Sequence, residues 1–413
     1  MNKFMQKLGF SVSRLHRLST VLQGYVDRGE IAGVVTLIHR YGEEAYVDAI
    51  GWQDKEAQTP IKRNTLFRIM SMTKPVTAVA ALMLVEEGKI RLFDPIDTWL
   101  PELSNRMVLR NPNGPLDDVT PASRSITLHD LLTSTLGIGW GEHQLLSAIF
   151  NLLPSPLAKT MGADHAEHLD PDAWMKRLGE LPLVYEPGNR FLYHVAYEIL
   201  GVLIARVAGK PLGEFIEERI FHPLGMTDTG FTVSPEKRDR LAVAYAPAPD
   251  GSLIVLDRPE TTGWSGAPLF PSGGGGLIST ADDYQRFGRM LLGKGELNGV
   301  RILSRKSVEA MTTDFLTPEQ HAHSFFDETD YDGSLMWTNK GYGYGVSVRS
   351  RQIGLGPSVG SFFWPGALGT TWIADPKEDL MATLMVQLRG AQLPKNSKLA
   401  YDFWTMMYQA INE

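Results

Sequence analysis

Ser71 and Lys74 are the residues of this sequence whose types and spacing most directly suggest covalent chemistry. On a helix, residues three apart share a face, with Cβ atoms about 5–6 Å apart. A serine hydroxyl is a weak nucleophile at neutral pH, and a neighbouring amine can activate it. The start of a helix also offers free N–H groups to a developing oxyanion. Pro75 fits a first helical turn, so the pattern predicts a nucleophilic Ser71 at a helix start.

The same S-x-x-K spacing occurs again from Ser234 to Lys237, so the spacing alone is not specific. A serine followed by proline and glutamate is typical of a helix N-cap, and we interpret this second occurrence as structural. Ser71 differs because the apolar run 76–85 follows it, as expected of a helix that is buried beyond its first turn.

Tyr193 and His194 are predicted to open another helix, which follows Pro187 and Gly188. A tyrosine in this position is more often a packing residue. Its usual pKa is about 10, so it can act as a base only where a nearby cation favours the phenolate. Lys74 would be that cation. His194 could tune the site, but we expect an exposed histidine.

The run Trp364–Pro365–Gly366–Ala367 lies close to the predicted C-terminal strands. Gly366 would let a substrate approach the strand backbone, and an N–H in this run could serve as an oxyanion donor. The alternative interpretation is an edge strand interrupted by proline.

Ser358 lies in a G-x-S-x-G sequence, which is typical of the nucleophile elbow of α/β-hydrolases. That elbow leads from a strand into a helix, and its catalytic histidine follows the serine in the chain. The sequence after Ser358, SFFWPGALG, does not predict a helix. The last histidine of the chain is His323, which precedes Ser358, so we reject this alternative.

Metal and phosphate sites are not predicted. The close histidine pairs, His165 with His168 and His321 with His323, have no convincing third ligand nearby. The four-glycine run 273–276 lacks the Lys-Ser/Thr of a phosphate loop. We expect it to be a loop that allows close backbone approach near the site, and we expect no cofactor.

In order and spacing, the motifs SMTK, YHV and WPG resemble those of the penicillin-recognising serine hydrolases. The chain looks most similar to the family VIII carboxylesterases, relatives of the class C β-lactamases, over roughly residues 15–405. The stretches LLTSTLGI, FHPLGMTDTGF, SGGGGLISTADDYQRFGRMLL and GALGTTWIADPKEDL look like that family too.

This resemblance implies that Ser71 is acylated and that Lys74 and Tyr193 form the proton-transfer pair, with Tyr193 taking the serine proton. It implies an oxyanion hole made by the N–H groups of Ser71 and Ala367, and an acyl site lined by Trp364. The residues expected to contact substrate or oxyanion are Ser71, Ala367, Trp364, Gly366 and His194.

Two departures from the family pattern bear on the substrate. β-Lactamases and penicillin-binding proteins carry Lys-Thr-Gly, whose lysine and threonine hold a substrate carboxylate, where this chain has Trp364–Pro365–Gly366. The second motif usually ends in Asn, and here it ends in Val195. Both favour a serine carboxylesterase acting on small to medium neutral acyl esters. A β-lactamase, D-amino peptidase or acyltransferase using the same site, and a non-catalytic binding protein, remain alternatives.

The amino-acid composition limits the classes of partner that we expect for this protein. The 413 residues are 43% hydrophobic and 21% charged, as in ordinary globular enzymes. A net charge of −7 argues against a nucleic-acid partner, and the absence of cysteine removes thiol nucleophiles and disulfides. We see no signal peptide and no apolar run of about 18–20 residues, so we expect a cytoplasmic protein without a membrane partner. The oligomeric state stays open.

Hydrophobic periodicity predicts an α/β fold. Helices are predicted at 11–29, 75–87, 129–134, 195–207, 211–221, 279–292 and 398–411. Strands are predicted at 32–39, 44–51, 342–351, 360–364, 370–374 and 380–387.

This order indicates a discontinuous α/β domain, 1–65 with 275–413, and an inserted, mainly helical domain, 66–274, with the active site between them. With the resemblance, it predicts a β-lactamase/transpeptidase-like fold. Its antiparallel sheet would have about five or more strands, flanked by N- and C-terminal helices.

Overall fold

The fold comes from a computed structural model that describes residues 2–141, 143–152, 154, 169–322, 340–352, 354–391 and 398–412. Its α-helices are α1 Asn2–Lys7, α2 Val12–Asp27, α3 Thr73–Glu86, α4 Leu128–Leu132, α5 Leu146–Asn151, α6 Pro171–Glu180, α7 Val195–Ala208, α8 Leu212–Ile216, α9 His222–Leu224, α10 Ala281–Leu292, α11 Arg305–Met311, α12 Pro318–Ala322 and α13 Lys398–Gln409. In the part of the chain that the structure describes, no helix has the length and apolar character needed to cross a bilayer.

The strands are β1 Gly33–Arg40, β2 Glu43–Asp54, β3 Thr59–Pro60, β4 Phe67–Arg68, β5 Met107–Leu109, β6 Val119–Pro121, β7 Ala244–Pro247, β8 Leu253–Asp257, β9 Ile278–Ser279, β10 Glu296–Leu297, β11 Val300–Arg301, β12 Lys340–Tyr342, β13 Ser347–Arg349, β14 Phe362–Phe363, β15 Thr371–Asp375 and β16 Leu380–Met385. Short 3₁₀ turns lie at Met70–Met72, Pro101–Leu103 and Pro235–Arg240.

One eight-stranded antiparallel sheet, in the order β12-β13-β14-β15-β16-β1-β2-β3, forms the α/β part. Its centre joins the two ends of the chain, because β1 pairs with β16 in a register that runs from Val35 opposite Met385 to Arg40 opposite Leu380. The predicted antiparallel sheet of at least five strands is confirmed.

Both faces of the sheet are covered by helices. Successive side chains of a strand point to opposite faces, so Val34 and Ile38 pack with one core while Val35 and Leu37 pack with the other. The first core contains the apolar sides of α2 and α13, and the second contains the buried side of α10. Because both faces are buried, β1 and β16 are almost continuously apolar.

Helices α3 and α7 form the centre of the helical part and pack against each other. From Thr73 to Leu84 every residue of α3 is buried. α7 ends at Gly209, whose left-handed φ of 66° is typical of a helix C-cap. Because α3 has no face in contact with solvent, a polar side chain on it needs hydrogen-bond partners from the surrounding protein. Lys74 is such a side chain.

The chain enters and leaves the helical part at neighbouring points, because β4 pairs with β9. This pair lies at both predicted domain boundaries, near residues 65 and 275. The division into 1–65 with 275–413 and 66–274 stays a prediction.

Two segments differ from their predicted form. The helix predicted at 211–221 is α8, followed by a π-helical turn at Glu217–Phe221 and then by α9. The strand predicted at 342–351 is divided into β12 and β13, because the chain turns at Gly345 with a φ of 78°. A Cβ at Gly345 would lie 3.1 Å from the Lys74 carbonyl oxygen, so this turn packs directly against α3.

The second S-x-x-K sequence lies in the 3₁₀ turn Pro235–Arg240, directly after Ser234. Lys237 binds the Thr227 carbonyl oxygen at 2.7 Å and the Asp228 carboxylate at 2.9 Å, away from Ser234. Its structural interpretation is confirmed, although the serine side chain makes no cap hydrogen bond.

A buried ion pair ties the strand before Ser71 to the β7–β8 ribbon. Arg68 is fully buried, its Nη2 lies 2.5 Å from Asp257 Oδ2, and its Nη1 donates to the Ala242 carbonyl oxygen at 2.7 Å. Thr262 Oγ1 also donates to Asp257. Each charge depends on the other because both are removed from water.

Asp257→Asn is expected to lower the free energy of unfolding by about 3–5 kcal/mol, because it leaves the Arg68 guanidinium buried without its counter-charge. Denaturant unfolding measures this difference. Glu260→Gln, at an exposed position beyond the same ribbon, is the matched control and should unfold like the wild type. Equal stability of all three proteins would show that the ion pair contributes nothing.

Candidate active site

Ser71 lies in the 3₁₀ turn Met70–Met72, immediately before α3. The preceding residue, Met70, has a φ of 49°, a left-handed conformation that costs a non-glycine residue roughly 1–2 kcal/mol. This turn directs the chain from β4 into α3. The expected position of Ser71 at the start of a helix agrees with the structure.

Lys74, one turn further on, is fully buried and has three polar neighbours. Its Nζ lies 3.1 Å from Ser71 Oγ, 2.7 Å from the Gly274 carbonyl oxygen and 3.1 Å from His194 Nδ1. Burial lowers the pKa of Lys74 to about 7, against the opposing effect of the Glu198 charge. Near neutral pH, much of this side chain is therefore a neutral amine with a free lone pair.

Tyr193 completes a cluster of three polar groups. Its hydroxyl accepts a hydrogen bond from Trp364 Nε1 at 3.1 Å and lies near the Ser71 hydroxyl. Its ring centroid lies 4.5 Å from Lys74 Nζ, so the amine also contacts the aromatic face. The structure thus brings Ser71, Lys74, Tyr193 and Trp364 together.

The protonation of Tyr193 differs from our expectation. Burial raises the pKa of this phenol above its usual range and the Glu198 charge raises it further, although hydrogen bonds with Ser71 and Trp364 oppose the change. A phenol in this state keeps its proton at neutral pH. Burial disfavours the Tyr193 phenolate more strongly than the nearby Lys74 amine favours it. The expectation that Lys74 holds Tyr193 partly deprotonated is therefore not supported.

The Trp-Pro-Gly run packs against the backbone that precedes Ser71. A Cβ at Gly366 would lie 2.3 Å from the Ile69 carbonyl oxygen, and Thr370 Oγ1 donates to that oxygen at 3.3 Å. The expected reason for Gly366, room for a substrate, is therefore wrong, since the Ile69 backbone occupies that space. The glycine instead allows the 366–370 turn to lie beside Ser71.

Two backbone donors in this region have no hydrogen-bond partner among the residues that the structure describes. Across the described ranges, neither the Ser71 N–H nor the Ala367 N–H donates to a backbone or side-chain acceptor. Ala367 follows the glycine that touches Ile69 and packs in the same apolar cluster as Met70, so it lies close to the Ser71 turn. These are the two donors predicted for an oxyanion hole.

The glycine run expected to lie near the site contacts α3 at two carbonyl groups. Lys74 donates to the Gly274 oxygen, and Thr77 Oγ1 donates to the Gly273 oxygen at 2.7 Å. A Cβ at Gly274 would lie 2.5 Å from Glu198 Oε1, and one at Gly273 would lie 2.5 Å from the Tyr197 carbonyl oxygen. Only glycine lets the loop fit between α3 and α7.

His194 is buried, with 1% of its surface exposed, so the expectation of an exposed histidine is wrong. Its ring stacks on Trp140 at a centroid distance of 4.6 Å, and its Nε2 lies 2.9 Å from Glu198 Oε1. Ser272 Oγ donates to the same Glu198 oxygen at 2.7 Å. The tertiary contact between α3 and α7 brings the ring to Lys74.

Glu198 is the residue of this site that the sequence analysis missed. It is 1% exposed and lies four residues after His194, on the same face of α7. A histidine and a glutamate four apart on an otherwise apolar helix are the signal that could have identified the pair.

The other candidates lie in different surroundings. Ser358 precedes β14 instead of a helix, and its N–H donates to Asp375. The prediction that this serine does not form a nucleophile elbow is confirmed. His321 pairs with Asp314. No group of three or more His, Cys, Asp or Glu that could hold a metal occurs within the described residues. His165, His168 and His323 lie outside them.

The sequence matches the beta-lactamase family over residues 18–401. The chain belongs to this family. It is 43% identical over 371 residues to an uncharacterized protein of Mycobacterium tuberculosis, with 87% of each chain covered. It is 30% identical to the esterase EstB of Burkholderia gladioli, with 89% of each chain covered.

Among solved structures, EstCE1, described as a hydrolase with promiscuous acyltransferase activity, superposes with a TM-score of 0.76. The identity is 24%, and the match covers 97% of this chain and 99% of that one. The fold is therefore the β-lactamase/transpeptidase-like α/β fold. With the family match and its esterase relatives, the chain is a serine hydrolase.

The reactivity of Ser71 is expected to rise with pH with a midpoint near 7. Below that pH Lys74 is protonated and has no lone pair to accept the serine proton, and above it the amine is neutral. The rate of Ser71 labelling by a fluorophosphonate between pH 5 and 9 measures this dependence. In Tyr193→Phe the midpoint should stay, since the phenol is protonated throughout this range; a midpoint near 10 would contradict the assignment to Lys74.

Gly366→Ala is expected to lower the turnover of an activated ester about 100-fold, because the added Cβ collides with the Ile69 carbonyl oxygen and displaces the Ala367 N–H. Steady-state kinetics with p-nitrophenyl butyrate measures the change. Gly230→Ala is the control, since a Cβ there meets nothing closer than 3.8 Å. Equal kcat in the two variants would show that the Ala367 N–H does not contribute to the oxyanion hole.

Proposed function

We propose that this chain is a serine carboxylesterase of the family VIII type, which hydrolyses small to medium acyl esters through an acyl-enzyme on Ser71. One observation carries the proposal: Ser71 Oγ lies 3.1 Å from the buried Lys74 amine, with the Tyr193 hydroxyl nearby. A serine hydroxyl next to a buried amine has a base beside it that can accept its proton.

In the first step the neutral Lys74 amine takes the Ser71 proton while Oγ bonds to the ester carbonyl carbon. The carbonyl oxygen becomes an oxyanion, which the N–H groups of Ser71 and Ala367 would stabilise. Collapse of this intermediate breaks the bond between carbon and the alcohol oxygen. The proton held by Lys74 passes to the leaving alcohol, with the Tyr193 hydroxyl placed to relay it.

In the second step water attacks the acyl-enzyme. Lys74, neutral again, accepts a proton from that water, and the second tetrahedral intermediate uses the same two N–H donors. Collapse breaks the bond to Ser71 Oγ, which regains its proton as the carboxylic acid leaves. The chemistry needs no metal or cofactor.

A neutral ester fits the residues at positions 364 and 365 better than a carboxylated amide. Trp364 is 1% exposed and its N–H is directed to Tyr193, and Pro365 has no N–H to donate. Neither can replace the lysine and threonine that hold a substrate carboxylate in the β-lactamases. The esterase EstB, 30% identical, is in line with this substrate class.

The proposed site combines residues from both predicted domains. Ser71, Lys74 and Tyr193 belong to 66–274, while Trp364 and Ala367 belong to 275–413. The hydrogen bond between Trp364 and Tyr193 crosses this boundary, which supports an active site between the two parts.

Acyl transfer to an alcohol or amine is the second candidate function. It uses the same acyl-enzyme, with the acceptor in the place of water. The description of EstCE1 as a hydrolase with promiscuous acyltransferase activity favours testing it, although the 24% identity speaks only to the fold.

Ser71→Ala and Lys74→Ala are expected to abolish hydrolysis of p-nitrophenyl butyrate, and Tyr193→Phe should lower it strongly, because removing one member of such a unit costs nearly as much as removing all. Ser234→Ala, which changes the serine of the other S-x-x-K sequence, is the control and should retain full activity. Melting temperatures check that each variant is folded.

Nitrocefin tests the β-lactamase alternative, and we expect slower turnover of nitrocefin than of the ester. Added alcohol tests the transferase alternative, since a new ester would then accumulate at the expense of free acid. Activity retained in Ser71→Ala would end the proposal. Faster turnover of nitrocefin than of the ester would show a β-lactamase instead of an esterase.

A further inference from the structure

A buried histidine contacts Lys74, and a buried glutamate contacts that histidine; neither has a part in the mechanism described so far. His194, Glu198 and Ser272 form a chain of hydrogen bonds that begins at Lys74 Nζ and runs through both imidazole nitrogens. All four side chains are at least nine-tenths buried. Removing such groups from water is unfavourable unless each finds a partner, so the chain needs an explanation.

The contacts of His194 define which nitrogen carries its proton. Burial, with a smaller effect of the Lys74 charge, lowers the pKa of His194 to about 4 against the opposing effect of Glu198, so the ring is neutral at neutral pH and has one N–H. Nε2 lies 2.9 Å from a Glu198 carboxylate oxygen, which accepts a hydrogen bond. The N–H therefore sits on Nε2, and Nδ1 is left as an acceptor directed to Lys74.

This tautomer determines the orientation of the Lys74 amine. A neutral amine has two N–H groups and one lone pair. The Gly274 carbonyl oxygen and His194 Nδ1 are both acceptors and take one N–H each. The third neighbour of Nζ is Ser71 Oγ, which is left facing the lone pair.

The opposite tautomer would give a different result. An N–H on Nδ1 would face the N–H groups of Lys74, and the amine would turn one of its own N–H groups toward Ser71. The lone pair would then point away from the proton that it must accept. The ring is also held in place, because it stacks on Trp140 and has a backbone φ of 84°. Unusual conformations of this kind are often found at functional sites.

We infer that His194 and Glu198 are positioning residues, which hold the Lys74 amine so that its lone pair faces the Ser71 hydroxyl. The inference rests on the proposed function, since it concerns how the base of that reaction is oriented. Neither side chain is required to touch the substrate.

The charge of Glu198 has a second effect on the same amine. The titratable groups around Lys74 are His194, Glu198, Tyr193 and Tyr197, whose ring centroid lies 5.8 Å from Nζ. Of these, the Glu198 charge raises the pKa of Lys74 against the effect of burial. Loss of its charge should make the amine easier to deprotonate.

The test measures the rate at which a fluorophosphonate labels Ser71 in the full-length protein between pH 5 and 9. His194→Phe keeps a ring for Trp140 but removes the acceptor, and should slow labelling at least about 100-fold above pH 8. His194→Asn should restore the rate to within about tenfold of the wild type. Its Oδ1 occupies the position of Nδ1, and Asn tolerates a positive φ better than most residues.

Glu198→Gln should move the midpoint of the pH dependence to lower pH while leaving the rate at high pH within about tenfold. Its amide oxygen still accepts the Nε2 hydrogen, but the charge is gone. A purely structural role would not move this midpoint. His39→Phe, a histidine on β1 that contacts Gln285, is the control and should label like the wild type.

Labelling of folded His194→Phe at the wild-type rate, or a midpoint in Glu198→Gln that is unchanged or higher, would overturn the inference. Failure of His194→Asn to exceed His194→Phe would also overturn it, since the acceptor would then be irrelevant. The proposed function fails separately, if wild-type protein is labelled at Ser71 but hydrolyses no ester.

Discussion

The burial of the Lys74 amine is the constraint on which the active site depends. A lysine in water is protonated at neutral pH and cannot accept a proton. Inside the apolar contact of α3 and α7, desolvation lowers its pKa to about 7, so the amine can act as a base. The same burial would destabilise the fold if Nζ had no partners, and the site supplies three.

Much of the surrounding architecture provides these partners. The glycine run presents a carbonyl oxygen to Lys74, and it reaches that position only because residues 273 and 274 have no Cβ. His194 is the N-cap residue of α7, and Glu198 lies in the first turn of that helix. The carboxylate compensates part of the cost of a buried positive charge, so Lys74 can exchange a proton without either state being strongly disfavoured.

The Ser71 end of the proposed site depends on a contact between distant parts of the chain. Gly366 packs on the Ile69 carbonyl oxygen, and Thr370 binds the same oxygen, which fixes Ala367 next to the Ser71 turn. Trp364 reaches the Tyr193 hydroxyl from the same strand connection. An indole in this position gives the site an apolar wall where a charged substrate group would need a cation.

The sequence by itself determined the local features of this protein: a serine and a lysine one helical turn apart, the apolar periods of α2, α3, α7 and α10, and strands β1, β2, β14, β15 and β16 of the central sheet. It also placed Tyr193 and Trp364 among the candidates. Only the tertiary structure decided the protonation of Tyr193, the burial of His194, the part played by Glu198 and the true neighbour of Gly366. All four features depend on contacts between residues that are far apart in the chain and on the exclusion of water by those contacts. The local spacing of residues in the sequence does not encode either.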